Sequence, residues 1–181
     1  MKDYFVVLKI TFIGLLVTVC FYPLIHESGH VIATLLTGGK FIAVSWLPSP
    51  NVLCEMNTEN AMSFSVTSLA GMIFPILFIL PFYKSKGSLR FGALIMSGIT
   101  VLSFIIGFLI TVMRLFGSII PNDDVTVFMD FTGWELPTLF IMFVLAAITI
   151  FQFILFKPKQ VLDKIISPSS SESFSKPFVA N

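Results

Sequence analysis

The stretch Leu15-Leu16-Val17-Thr18-Val19-Cys20-Phe21-Tyr22-Pro23-Leu24-Ile25-His26-Glu27-Ser28-Gly29-His30-Val31-Ile32 decides how this chain is to be read. It sits in a run from Tyr4 to Leu36 that is otherwise almost wholly apolar, and its two histidines are the only two in the chain. On a helix, residues four apart share one face about one turn from each other. His26 and His30 can therefore reach a single Zn²⁺, while Glu27 between them is placed to take a proton from a metal-activated water. That spacing spells a zinc hydrolase. Ionisable groups at membrane depth are expensive and mark function there, so a metal motif inside an apolar run points to chemistry within the membrane. A competing reading makes the three residues a satisfied polar cluster between helices, but it gives no reason for a Glu between the two ligands.

Composition agrees with a bilayer as solvent. Of 181 residues, 56% are hydrophobic and 12% charged, and the mean hydropathy is +0.95; a soluble domain carries about a quarter charged residues. A hydrocarbon core about 30 Å thick takes ~20 helical residues. The runs 4–36, 62–83, 91–113 and 136–156 are each long enough. The expected fold is an all-α polytopic membrane protein with about four transmembrane helices and a short β-hairpin after the motif helix. One intramembrane domain covers 1–157, and 158–181 is a disordered polar tail, Ser-rich from Ser167 onward. The first run is too long for a signal peptide, lacks a small-residue cleavage site and flows straight into the motif. A net charge of +1 gives no pull toward nucleic acid. The expected partners are the lipid bilayer and a membrane protein or peptide substrate; oligomeric state is not encoded. Cys20 and Cys54 suggest no pair, and Cys20, six residues before His26, points away from the His face.

Beyond the motif, Gly38-Gly39 ends the helix, as glycine does at C′. Phe41–Trp46 and Val52–Met56 are rich in strand formers, with Pro48 and Pro50 enforcing a turn between them, which predicts a hairpin beside the metal. It serves either as an edge strand on which an unwound substrate pairs or as an interfacial element anchored by Trp46. A catalytic zinc needs three protein ligands and a water, and no third histidine exists. The segment Pro121-Asn122-Asp123-Asp124-Val125-Thr126-Val127-Phe128 supplies the carboxylate. Pro121 and Asn122 look like a helix start, with Asn122 or Asp123 as N-cap and Asp124 in the first turn. Asp124 is the candidate third ligand and Asp123 the second choice; both acids could instead only cap the helix and complement its dipole.

Leu24-Ile25-His26-Glu27-Ser28-Gly29-His30-Val31-Ile32-Ala33, followed by Gly38-Gly39-Lys40, resembles the first motif of the site-2-protease-like intramembrane metalloproteases, the M50 peptidase family. Ser68-Leu69-Ala70-Gly71-Met72 is similar to a small-residue segment many members carry, and together these cover the first half of the chain. The resemblance implies a zinc-dependent endopeptidase that cleaves membrane-embedded or membrane-adjacent segments, with Glu27 as general base. It implies His26, His30 and a later Asp as ligands, although the family's Gly-containing D-G element is replaced here by Asp123-Asp124. The alternative is a catalytically inactive zinc-binding membrane protein acting as a binding partner or chaperone. A transporter would need further polar residues inside spans three and four.

Charge sets the expected orientation. If four helices alternate, Lys2, Lys9, Lys84, Lys86, Arg90, Lys157, Lys159, Lys164 and Lys176 fall on one side. Lys40 and Arg114 fall on the other, with Glu55, Glu59, Asp123, Asp124, Asp130 and Glu135. The positive-inside rule then makes both termini of this multi-pass cell-membrane protein cytoplasmic and puts the motif at the outer end, whereas the resembled family keeps its site nearer the cytosol. In a background lacking Cys20 and Cys54, Ser88→Cys is expected to be shielded from impermeant thiol reagents in intact cells and Thr58→Cys to be labelled; the reverse pattern turns the molecule over.

Overall fold

The fold, taken from a computed structural model, is described over residues 2–46, 50–60, 62–118 and 123–166. It contains four helices long and apolar enough to cross a membrane: Tyr4–Leu36, Met62–Lys84, Gly87–Leu115 and Glu135–Ile166. The first is continuous but not uniform. Its lower half, α1 (Lys2–Leu16), passes through a π-helical turn over Val17–Phe21 into α2 (Tyr22–Leu36). The cause is Pro23, which has no N–H and whose ring would strike the carbonyl four residues back. The turn widens so that Tyr22 N–H reaches Val17 O, five residues away. Gly38 ends α2 at φ +86°, as the sequence predicts, and Gly39 N–H returns to Thr34 O at 2.9 Å.

The expected hairpin is present as β1 (Lys40–Ser45) and β2 (Asn51–Glu55), antiparallel with Val44 opposite Val52 and an irregularity between Phe41 and Ala43. Pro48, assigned to its turn, lies outside the described residues. Next come α3 (Met62–Ile79), with Pro75 inside it and closed by a 3₁₀ turn, and α4 (Gly87–Leu115). Short α5 (Asp124–Thr132) leads into α6 (Glu135–Leu155). The expected start of α5 at Pro121 and Asn122 also lies outside the described residues.

One expectation is corrected. The tail assigned to 158–181 begins with a helix, α7 (Pro158–Ile166), reached through a left-handed Lys157 at φ 52°. Val161 and Ile165, four residues apart, turn inward onto the bundle. This apolar pair outweighs the polarity of the flanking lysines; residues 167–181 lie outside the description.

Outward-facing positions are apolar along the long helices, including Phe5 and Phe12 on α1, Leu102 and Leu109 on α4, and Phe140, Phe143 and Phe151 on α6. So extensive an exposed apolar surface is unfavourable in water. Inside, one cluster joins Val17, Ile25, Ile79, Phe91, Leu94, Phe156 and Val161, and a second joins Ile76, Phe104, Val125, Met129 and Met142. Small and hydroxyl side chains fill the helix contacts, with Thr34, Ser63, Ser97, Thr100 and Thr111 fully buried, and such residues let helices approach closely. The tightest contact is between α2 and α3, where a Cβ on Gly29 would lie 2.5 Å from Ala70 O. Backbone cannot yield to that extent, so Gly29→Ala is expected to push α2 off α3 at a cost of about 1–3 kcal/mol. A thermal unfolding midpoint in detergent equal to wild type would show that the two helices do not need this approach.

Candidate metal centre

His26, Glu27 and His30 project from α2 with a ligand-type atom of each within 4.8 Å of the others, a group that could hold a metal ion. His30 is the more fixed. Its Nδ1 lies 2.8 Å from Thr67 O on α3, and because a carbonyl only accepts, Nδ1 must carry the proton. In the neutral ring that leaves a lone pair on Nε2, the tautomer a metal ligand needs. Nε2 faces His26 Nε2 at 3.2 Å. Gly71 gives the ring its room, since a Cβ there would stand 2.2 Å from His30 Nε2. The His26 ring stacks on Tyr22, one turn earlier, with centroids 6.3 Å apart. Its Nδ1 is buried without a hydrogen-bond partner among the described residues.

The two neighbouring acids are put to different uses. Asp123 is the N-cap of α5, and its carboxylate accepts from Val125 N–H at 2.9 Å. Asp124, in the first turn, points into the site, with Oδ2 3.0 Å from His26 Nε2 and 3.3 Å from His30 Nε2. Burial pushes both carboxyls up. For Asp124 the two imidazoles outweigh burial and hold it well below the usual carboxylate range, while Asp123 stays raised. Three atoms able to offer lone pairs thus converge with separations of 3.0, 3.2 and 3.3 Å. Bonds of about 2.0–2.1 Å to a tetrahedral centre would set their donors ~3.3 Å apart. The donor set fits a metal, and the convergence calls for a cation or added protons at its centre.

Glu27 stands on the same cavity, and its Oε2 accepts from Val52 N–H of β2 at 3.1 Å. The hairpin therefore touches the site through backbone. The cavity, about 620 Å³, extends from β2 and α5 down to α4. In its lining, Tyr22 and Ser103 join their hydroxyls at 2.8 Å. Asn51–Cys54, Phe104 and Gly107 complete the wall.

All four residues singled out from sequence, His26, Glu27, His30 and Asp124, line this one cavity, and Asp123 lines it beside its capping bond. Cys20 is exposed elsewhere. Sequence reasoning missed Thr67 O and Val52 N–H, which are backbone atoms with no residue signature, and the spacing role of Gly71. It also missed Tyr22, whose position one turn before His26 was a usable signal.

No protein-family model, no curated protein and no solved structure matches the chain.

Gly71→Ala is expected to displace the His30 ring and weaken metal retention by about 10–100-fold, the usual scale for losing a ligand's supporting contact. Gly92→Ala, where a Cβ meets only Val17 Cγ2 at 3.5 Å, serves as the control. The readout is bound metal against rising chelator. Equal retention by both variants would show that the ring does not depend on Gly71.

Proposed function

We propose that this chain is a zinc-dependent intramembrane endopeptidase acting on membrane-embedded or membrane-adjacent peptide segments. The observation that carries the reading is the convergence of His26 Nε2, His30 Nε2 and Asp124 Oδ2, with Glu27 on the same cavity. Two imidazoles and a carboxylate are a donor set that suits zinc and leaves a position open. His26, His30 and Asp124 would hold the ion; Asp123 is the weaker candidate because its carboxylate already caps α5. Bound zinc supplies Lewis acidity, lowering the pKa of water and polarising the scissile carbonyl.

The chain's own residues carry the proton and the geometry. Glu27 accepts the proton of the attacking water and delivers it to the leaving amine. Val52 N–H orients that carboxylate toward the cavity, and Thr67 O keeps His30 in its ligating tautomer. The four long apolar helices support residence as a multi-pass membrane protein, and the lysine distribution supports cytoplasmic termini. The cavity, lined by three of these helices together with β2 and α5, suits an unwound segment at membrane depth.

A second reading, a zinc-binding membrane protein without turnover, is favoured by one observation. Glu27 lies as close to the His pair as a ligand would. Metal and activity together separate the two. One zinc per chain is expected, lost in His26→Ala and His30→Ala and lost more severely in Asp124→Ala than in Asp123→Ala. Glu27→Gln keeps an oxygen but cannot accept a proton, so it is expected to retain zinc while cleavage of single-span peptides falls by about 10²–10⁴. If Glu27→Gln instead sheds its zinc, Glu27 is a ligand and the second reading stands.

A further inference from the structure

The end of the molecule opposite the His pair carries a feature the proposed chemistry does not use. The 3₁₀ turn Leu80–Lys84 leads through Ser85 and Lys86 directly into α4, and α6 leads through Phe156 and Lys157 directly into α7. Both short links lie at the same end, because Arg90 Nη2 of α4 donates to Phe156 O at 3.2 Å. Six basic side chains collect there: Lys84, Lys86, Arg90, Lys157, Lys159 and Lys164. Among the described residues none of the six has an ion-pair partner; the ion pairs there join His26, His30 and Arg114 to acids. Arg90 Nε is buried without a hydrogen-bond partner.

Helix α7 itself has three faces. Val161 is 4% exposed and, with Ile165, packs on the bundle's core cluster. Leu162 and Ile166, the next stripe round, are exposed at 37% and 57%. Lys159 and Lys164 lie on the remaining exposed surface with Asp163. A helix pinned along one stripe, apolar on the next and cationic on the third suits the plane between acyl chains and headgroups. The turn at Lys157, in a left-handed conformation non-glycine residues seldom adopt, folds the chain back over the bundle.

We infer that α7, with Lys84, Lys86, Arg90 and Lys157, forms a binding surface for the phosphates of anionic phospholipids, the acyl chains meeting Leu162 and Ile166. The inference rests on the membrane reading of the four long helices but not on catalysis or metal. The occupant follows from charge: six cations without an ion pair among the described residues, with Asp163 the acid on α7, favour anions, and beside an apolar stripe the anion is a lipid headgroup. A basic side chain near an anionic surface contributes ~1 kcal/mol, a factor of about five in association.

The test reconstitutes the full chain in phosphatidylcholine vesicles and compares spin-labelled phosphatidylglycerol with spin-labelled phosphatidylcholine in the motionally restricted lipid shell. Wild type is expected to select the anionic lipid, and molar salt to reduce that selection. Lys159→Gln with Lys164→Gln, both on the exposed surface of α7, is expected to reduce it several-fold. Arg114→Gln at the other end should leave it unchanged. Selection that is absent in wild type, or that survives both salt and the double substitution, overturns the inference while the membrane reading stands. Absence of any restricted lipid overturns the membrane reading and this inference with it. As a second readout, amide exchange across 158–166 is expected to slow when phosphatidylglycerol is added to the vesicles, and equal exchange in both vesicle types counts against the surface.

Discussion

The site depends on one hydrogen bond, from His30 Nδ1 to Thr67 O. It crosses from α2 to α3, so a packing contact between two helices becomes a statement about a ring's tautomer. Packing must come first for that bond to form. Gly29 lets the α2 backbone approach Ala70 O, and Gly71 leaves the volume that the His30 ring occupies. A larger residue at either glycine separates the helices or evicts the ring, and Nε2 then no longer faces His26 and Asp124. Small residues in apolar helices are usually explained by packing alone; here the same residues also hold a polar group in register. Thr34 and Thr67, with hydroxyls 3.5 Å apart, extend the contact one turn further along.

The third corner of the site arrives on a different element and needs its own restraint. Asp124 belongs to the first turn of α5, a nine-residue helix too short to be stable by itself. Its N-terminus is closed by Asp123, and Val125, Phe128 and Met129 are buried, two of them in the cluster with Phe104 and Met142. At its far end Asp130 pairs with Arg114 of α4, which also reaches Glu135 Oε1 of α6 at 3.5 Å. One guanidinium thus ties together the elements on either side of α5. An isolated buried carboxylate would escape its cost by protonation; Asp124 instead faces the two imidazoles, where a cation or added protons at the centre of the cluster would offset that cost.

Much of this was legible before any coordinates, for identifiable reasons. The His26-Glu27-His30 spacing, the apolar runs, the glycine stop at Gly38 and the alternation of strand formers with prolines are all local signals, and each corresponds to an element of the structure. Asp124 was favoured over Asp123 as a first-turn residue behind an N-cap; in the structure Asp124 faces the two imidazoles and Asp123 caps α5. What escaped is non-local or carried by backbone. Thr67 O and Val52 N–H belong to the main chain, and no residue type announces which amide will face a glutamate across a hairpin. Helix α7 is the exception: it had a local signal, Val161, Leu162, Ile165 and Ile166 at helical spacing behind Pro158, but the lysines around it and the Ser-rich segment after it made the whole stretch read as a polar tail.

The π-helical turn shows how a break in regularity can bring two halves of one helix into a single register. Val17 and Ile25 belong to the same buried cluster, yet eight residues of regular α-helix would rotate them about 80° apart at ~100° per residue. A π-turn accommodates one extra residue, so Ile25 sits effectively seven residues above Val17, about 20° from the same direction. Pro23 forces that insertion, and its effect is to rotate everything above it. The lower half of the helix can then pack Ile10, Ile13 and Val17 toward Phe91 and Leu94 of α4, while the upper half presents Gly29 and Ala33 inward. His26 and His30 inherit that rotation. An unbroken helix with the same residues would satisfy one half or the other, and the face carrying His26 and His30 would turn away from Asp124 and the cavity it shares with β2.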